Sequence, residues 1–145
     1  MQRIETMMEE EIRILFAKTS AKMRKDYADS LREVNIYVGQ DHLLWQLWRK
    51  DGATQTELSE LMGCEPPTLT NMVKKLEAYG LVTRKKDASD ARVTRVFLTE
   101  KGSALEYPIE EIWRNHQKKM LNGISEEDRL TLKRLLLQID NNLKI

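Results

Sequence analysis

The segment from Pro67 to Lys75 carries side chains whose types and spacing suit contact with nucleic acid. Its apolar residues recur at helical spacing and would face inward: Leu69, Met72, Val73 and Leu76. The outer and flanking positions, which include hydroxyl, amide and ammonium groups, are Pro67, Thr68, Thr70, Asn71, Lys74 and Lys75. Such groups can bond to phosphates and to base edges in a DNA major groove. We predict contacts at or near the bases for Thr68, Thr70, Asn71 and Lys74.

A basic hairpin is predicted directly after this helix. Two stretches alternate between apolar and polar residues, 81–84 and 94–98, and the polar segment KKDASDAR separates them. Asp90 lies two residues before Arg92, so its carboxylate could hold the guanidinium in one orientation. An oriented arginine suits a narrow minor groove, where the negative potential is strongest. Taken alone, an Asp-x-Arg pattern more often forms a surface ion pair of little energetic consequence.

Basic side chains are concentrated in the same part of the chain. The net charge is +1, and residues 52–67 contain three acidic residues and no basic one. Residues 68–95 contain seven basic residues against three acidic ones, whereas the segments outside 52–95 are balanced. A local positive excess attracts phosphate, although a solvated charged loop would show it as well. We predict phosphate contacts for Lys75, Arg84 and Lys86.

Local signals place two short helices, joined by a tight turn, before this hairpin. Thr54 and Glu57 form a capping-box pattern that predicts the start of the first of these helices. Pro66 and Pro67 suit the first turn of the next helix, because their missing N–H groups would have no intrahelical partner there. Gly80 is typical of a helix C-terminal end. The pattern is that of a helix-turn-helix followed by a wing.

Amphipathic helices flank this centre. A long first helix begins near Ile4 and ends between residues 27 and 31, and the segment QDHLLWQLWRK forms a short second one. Thr99 caps a helix that Pro108 either kinks or restarts, and Ser125 caps the last helix. The apolar faces of the end helices exceed what a small central domain can cover. A second copy of the chain is the expected partner.

The predicted fold is mainly α with a small β-hairpin wing. It consists of a winged helix-turn-helix and a helical dimerisation region from both chain ends. We expect a dimerisation helix in residues 1–34, the DNA-binding domain in 35–99 and the C-terminal dimerisation helices in 100–145.

Composition and motifs argue against several other classes of protein. The 145 residues, 41% of them hydrophobic, can bury one ordinary core. The single cysteine, Cys64, excludes an intramolecular disulfide and is expected to be a small buried residue. His42 and His116 are the only histidines, so we expect no metal site. The sequence contains no phosphate-binding glycine loop and no nucleophile motif, so we expect neither a cofactor nor an enzyme. No signal peptide or apolar run of ~18 residues is present, which predicts a cytoplasmic protein.

From Thr54 to Gly102 the sequence resembles the MarR family of bacterial transcription regulators. Five short motifs in the family's order carry the resemblance: Leu69-Thr70, Leu76-Glu77, Gly80-Leu81-Val82-Thr83-Arg84, Asp90-Ala91-Arg92 and Leu98-Thr99-Glu100-Lys101-Gly102. The resemblance implies an obligate homodimer that represses transcription from a pseudo-palindromic operator in double-stranded DNA. It also implies that Arg92 enters the minor groove and that Asp90 positions it.

Small aromatic or lipophilic effectors release many members of this family from DNA. Tyr37, His42, Trp45 and Trp48 could line an effector cleft, although aromatic residues at helical spacing more often belong to a core. Peroxide-sensing members use a cysteine near the start of the chain, which this sequence lacks, so we expect no redox role for Cys64. The alternative function is a winged-helix module that binds an acidic protein partner without an operator.

Overall fold

The computed structural model describes residues 1–144 and confirms a mainly helical protein with one β-hairpin. The elements in chain order are α1 Gln2–Arg32, α2 Gln40–Arg49, α3 Gln55–Met62, α4 Pro66–Ala78, β1 Val82–Lys86, β2 Thr94–Leu98, α5 Glu100–Ala104, α6 Glu106–Met120 and α7 Glu126–Asn142. Across these residues, no helix is both long enough and apolar enough to cross a membrane.

The hydrophobic core lies where α2, α3, α4 and the hairpin meet. Its fully buried side chains from these elements are Leu43, Leu44, Leu47, Leu58, Leu69, Val73, Leu76, Val82 and Val96. The inward stripe predicted for α4 is therefore confirmed, with Met72 only partly buried at its edge. Full burial of one such side chain contributes about 1.5–3 kcal/mol. Packing of this kind stabilises helices as short as α3, which would be marginal alone.

Helices α3 and α4 begin and end as the local sequence predicts. Thr54 Oγ1 accepts a hydrogen bond from the Glu57 N–H at 3.1 Å, and the Glu57 carboxylate accepts one from the Thr54 N–H at 3.3 Å. Pro66 and Pro67 open α4. Gly80 follows α4 with a φ of +75°, a left-handed conformation that glycine adopts without steric cost. These signals fix the start of α3 and both ends of α4, and Gly63 in a left-handed conformation ends α3.

The hairpin differs from the prediction in the length of its first strand. β1 begins one residue later and extends through Lys86, so the predicted linker KKDASDAR loses its two lysines to the strand. Alternation could not reveal this, because a polar strand end and a polar loop look alike. The antiparallel register pairs Val82 with Leu98 and Lys86 with Thr94. Thr54 adds a single antiparallel bridge to Arg95, which joins the hairpin to the start of α3.

Gly102 marks a close approach between α5 and the start of the hairpin. A Cβ added there would lie 2.1 Å from the Leu81 carbonyl oxygen, so only glycine fits without displacing the backbone. Thr99 Oγ1 accepts a hydrogen bond from the Gly102 N–H at 3.1 Å and caps α5 as predicted. α6 begins at Glu106, two residues before Pro108, so the proline lies in the first turn of a restarted helix.

The chain forms two compact units, Met1–Trp113 and a second unit that begins at Arg114. In the first unit, α1 ends at Arg32, one residue beyond the predicted range, and its N-terminal part exposes Ile4, Met7, Met8, Ile12, Leu15 and Phe16. In the second unit, α7 buries none of its residues and exposes Leu130, Leu132, Leu135, Leu136 and Leu137. Each unit therefore presents an apolar helical surface to solvent.

Candidate nucleic-acid interface

The solvent-facing side of α4 is the centre of the candidate interface. Burial of Leu69, Val73 and Leu76 holds the helix in one rotational setting. Most of the predicted DNA-contacting residues of this helix are exposed: Pro67, Thr68, Asn71, Lys74 and Lys75. Thr70 is only half-exposed, and its Oγ1 donates to the Pro66 carbonyl oxygen at 3.0 Å. Because its hydroxyl proton is used within the helix, Thr70 offers DNA an acceptor and a methyl group.

Arg84 joins the hairpin to the C-terminal half of α4. Its Nη2 and Nε lie 3.1 and 3.3 Å from Glu77 Oε1, and its backbone N–H donates to Glu77 Oε2 at 3.2 Å. These hydrogen bonds hold the pKa of the Glu77 carboxyl below its usual range. Glu77 therefore orients the guanidinium, and the part of Arg84 that stays exposed can reach a phosphate.

Lys86 ends β1, next to the turn that connects the two strands. Its Nζ donates to the Ala91 carbonyl oxygen at 3.3 Å, so the ammonium spans the connecting turn. Its neighbour Lys85 lies over the Phe97 ring, with Nζ 5.5 Å from the ring centroid. Both lysines thus place positive charge on the same hairpin as Arg92.

Arg92 is held by Asp90 in the way that their spacing predicts. Arg92 Nε lies 3.1 Å from Asp90 Oδ1 and Nη2 lies 3.2 Å from Oδ2, while the Arg92 backbone N–H donates to Oδ1 at 3.0 Å. These bonds hold the pKa of the Asp90 carboxyl below its usual range. The Arg92 side chain is nevertheless 91% exposed. It is an oriented cation that faces solvent.

Asp87 and Arg95 also shape the wing, although the sequence analysis assigned them no role. Arg95 Nε donates to Asp87 Oδ1 at 2.5 Å, and Arg95 Nη1 donates to the Gly52 carbonyl oxygen at 2.8 Å. The ion pair lowers the pKa of the Asp87 carboxyl and raises that of the Arg95 guanidinium. An aspartate that begins a turn often bonds to backbone N–H groups two or three residues on, and this signal at Asp87 could have been recognised.

The comparisons with known proteins identify the family. Residues 36–94 match the model of the MarR family. The organic hydroperoxide resistance transcriptional regulator of Bacillus subtilis (strain 168) is 34% identical over 98 residues, which cover 68% of this chain and 67% of that relative. This chain belongs to the MarR family. It is a transcriptional regulator with a winged helix-turn-helix, and the family favours DNA binding over the alternative of a module that binds only proteins.

Two solved structures show the same fold. The S. aureus MepR–DNA complex matches with a TM-score of 0.81 and 27% identity, over 90% of this chain and 96% of that one. A MarR transcriptional regulator from Methanosarcina mazei Go1 matches with a TM-score of 0.76 and 27% identity, over 92% and 97% of the two chains. The MarR fold therefore extends over nearly the whole chain, well beyond the segment that carries the sequence motifs.

The four aromatic residues predicted to line a cleft occupy different surroundings in this MarR chain. His42 stacks against Trp113 at 6.2 Å between ring centroids, and Trp48 packs against the same indole at 6.4 Å. Trp45 instead lies under the Arg49 guanidinium at 4.7 Å. Tyr37 lines a separate cavity of about 320 Å³. The structure thus brings together His42 and Trp48 around Trp113.

A buried polar cluster connects α1, α2 and α6. Asp41 is fully buried, and its Oδ2 accepts hydrogen bonds from the Tyr27 hydroxyl and from Trp113 Nε1, the latter at 3.1 Å. Its Oδ1 accepts one from the Gly39 N–H at 3.0 Å. Burial, and then the Asp41 carboxylate, raise the pKa of the Tyr27 phenol. This cluster could not be predicted from sequence patterns, because its members lie far apart in the chain.

Cys64 lies in the turn between α3 and α4. It is half-buried, which corrects the expectation of a buried residue, because it packs against the edge of the core and not within it. Among residues 1–144, no group of three or more His, Cys, Asp or Glu side chains is placed to hold a metal ion.

Proposed function

We propose that this MarR regulator represses transcription by binding a pseudo-palindromic operator in double-stranded DNA as a homodimer. The proposal rests on one observation: Asp90 holds the Arg92 guanidinium by hydrogen bonds, yet the Arg92 side chain is almost completely exposed. A fixed, solvent-facing arginine on a hairpin suits a narrow minor groove. In this arrangement α4 of each copy enters a major groove, and each wing enters the flanking minor groove.

The proposed roles of individual side chains follow from their chemistry and exposure. Hydroxyl, amide and ammonium groups of α4 read or approach bases: Thr68, Thr70, Asn71 and Lys74. Pro67 packs against the DNA backbone at the start of α4. The remaining cations neutralise phosphates: Lys75, Arg84 and Lys86. Asp90 belongs to the DNA-binding set as the residue that positions Arg92.

The homodimer is inferred from the exposed apolar surfaces. α1 and α7 each expose a row of large apolar side chains, which a soluble chain normally covers. In the proposed dimer, residues 1–34 and 100–145 supply the interface, and residues 35–99 form the DNA-binding domain. Sedimentation at micromolar concentration should give about twice the chain mass of 17.0 kDa. A species of 17.0 kDa would refute the dimer.

A small aromatic or lipophilic effector is proposed to release the operator, and the protein is proposed to act in the cytoplasm. Tyr37, His42, Trp45 and Trp48 are the candidate lining residues. Titration with substituted phenols should quench tryptophan fluorescence and weaken operator binding over the same concentration range. The name of the B. subtilis relative refers to organic hydroperoxide resistance. We propose no peroxide response for this chain, because its sole cysteine, Cys64, lies in the α3–α4 turn and not near the start of the sequence.

The test of operator binding is a selection of duplexes from fragmented genomic DNA by the full-length protein. Affinity for the selected duplex should fall steeply with salt, because basic side chains release counterions from phosphates. Arg92→Ala should weaken binding by about tenfold with an unchanged fold, at the lower end of the effect expected for a groove-inserted arginine. Arg49→Ala, which removes an exposed arginine of the same domain, is the control. Equal affinity for selected and random duplexes would refute the proposal.

A further inference from the structure

The Arg95 guanidinium connects two segments that are far apart in the chain. Nη1 donates to the carbonyl oxygen of Gly52, 43 residues earlier, and Nε donates to the carboxylate of Asp87, which directly follows β1. Gly52 belongs to the turn before α3, and its own N–H donates to the Val96 carbonyl oxygen at 3.0 Å. One side of the Arg95 guanidinium therefore rests on the helix-turn-helix and the other on the wing.

The second oxygen of Asp87 organises the tip of the wing. Asp87 Oδ2 accepts hydrogen bonds from the backbone N–H groups of Ser89 and Asp90, at 3.0 and 3.1 Å. Asp90 in turn holds Arg92 through three hydrogen bonds. A continuous chain of contacts thus runs from the Gly52 carbonyl through Arg95, Asp87 and Asp90 to Arg92.

Asp87 and Arg95 are much less exposed to solvent than Arg92, the residue that they support. The Asp87 side chain is 18% exposed and that of Arg95 37%, whereas that of Arg92 is 91% exposed. The Asp87–Arg95 pair is therefore partly shielded from water and bonded on several sides. Only the last member of the chain of contacts projects fully into solvent.

We infer that Arg95 and Asp87 are positioning residues for operator binding, which together fix where Arg92 stands relative to the helix-turn-helix. The inference rests on the proposed role of Arg92 in the minor groove. Arg95 makes two directed hydrogen bonds at once, which the planar guanidinium of arginine permits and a lysine ammonium reproduces poorly. Without this support, Arg92 would still pair with Asp90, but its distance from α4 would be less well defined.

The competing explanation is that Arg95 is one more cation attracted to phosphate. The two explanations make opposite predictions for Asp87→Asn, which makes the protein more positive by one charge. Simple attraction predicts tighter binding by this variant, whereas loss of the Asp87 support predicts weaker binding. Glu60→Gln, at an exposed position of α3, makes the same change in charge without touching these contacts and serves as the matched control.

The experiment measures the affinity of the full-length protein for its selected duplex, together with hydroxyl-radical footprints. Arg95→Lys and Asp87→Asn should each bind about 5- to 10-fold more weakly and lose protection of the flanking minor grooves, while protection in the major grooves remains. In an Arg92→Ala background neither change should cost further affinity, because the group that they position is gone. Glu60→Gln should bind at least as tightly as the natural protein. Circular dichroism checks that each variant is folded.

Two results would overturn the inference. One is unchanged or tighter binding by Asp87→Asn, and the other is an undiminished loss from Arg95→Lys in the Arg92→Ala background. Failure of the proposed function looks different, since Arg92→Ala would then bind as well as the natural protein or no duplex would be selected.

Discussion

Asn71 and Lys75 illustrate how two neighbouring side chains on one helix face are expected to differ in function. Both are exposed on α4, four residues apart, where the helix brings them to the same side. An amide can pair with an adenine through two hydrogen bonds, whereas an ammonium at the edge of the groove meets phosphates that are the same for every sequence. The difference is one of chemistry, because their exposure is similar.

Replacing each of these residues by alanine should separate the two roles. Asn71→Ala should relax base preference at one operator position. It should also weaken the free energy of binding to the natural operator by about 1–3 kcal/mol. Lys75→Ala should weaken binding to all sequences alike. It should also reduce the slope of log affinity against log salt concentration by about one. Binding to a panel of single-base operator variants checks both. If Asn71→Ala weakens every duplex equally, its assignment as a base reader is wrong.

Asp41 is a fully buried carboxylate that accepts several hydrogen bonds. It accepts hydrogen bonds from Tyr27, Trp113 and Gly39 while it is fully buried. Leaving a buried donor without its acceptor lowers the stability of the fold by more than the hydrogen bond had contributed to it. The cluster therefore ties α1 and α6 to α2.

Removal of this acceptor should destabilise the protein markedly. We expect Asp41→Ala to lower the free energy of unfolding by roughly 3 kcal/mol and Tyr27→Phe by about 1 kcal/mol. Tyr79→Phe, which removes a hydroxyl from an exposed tyrosine, is the control and should change little. Urea unfolding at one fixed protein concentration provides the measurement, since the stability of the proposed dimer would depend on concentration. Equal stability of Asp41→Ala and the natural protein would contradict the cluster's role.

At the scale of the elements, the sequence predicts what is encoded locally. The Thr54–Glu57 capping box, the two prolines of α4 and the Asp90–Arg92 pair all involve residues within three positions of each other, and all are present. Contacts between distant segments were missed, such as the Thr54–Arg95 bridge and the Asp41 cluster. A pattern with a period of two or 3.6 residues contains no information on which distant residue completes a contact.

The close approach at Gly102 gives an element-scale prediction. Gly102→Ala places a methyl group against the Leu81 carbonyl and should lower the free energy of unfolding by roughly 1–3 kcal/mol through overpacking. Trp48 should report the change, because its Nε1 donates to the Gly102 carbonyl oxygen at 3.1 Å. Thermal unfolding followed by tryptophan fluorescence measures both the loss of stability and the change around Trp48. Ser103→Ala, at an exposed position of the same helix, should be neutral, and an equally neutral Gly102→Ala would contradict the packing described.

The ion pairs of the wing predict its response to acid. In the folded protein the pKa values of Asp87 and Asp90 lie below their ordinary value of 3.8, so their stabilising contribution is complete above that value. It is lost as the pH falls through the lowered pKa values. NMR signals of the Arg92 and Arg95 Nε–H groups should therefore stay constant from about pH 8 to pH 5 and change below about pH 4. A transition of either signal between pH 5 and 8 would contradict the assigned pairs, and Arg49, which lies over Trp45, serves as the internal control.

The whole molecule has a positive central segment and exposed apolar surfaces on helices from both parts of the chain that flank it. The positive excess of residues 68–95 lies on α4 and the hairpin, where most of the exposed side chains are polar. The large exposed apolar side chains instead concentrate on α1 and α7. This separation suits a protein that uses its ends to pair with a second copy and its centre to bind DNA. An effector that changes the spacing of the two central segments would then control binding.

Binding to a pseudo-palindromic operator is best tested by a hydroxyl-radical footprint of the full-length protein on its selected duplex. We expect two protected half-sites about one helical turn apart, related by two-fold symmetry, with flanking minor-groove protection that Arg92→Ala removes. Protection should also weaken steeply as salt is raised. A single unsymmetrical footprint, or no protection beyond that seen on random duplex, would contradict binding to such an operator.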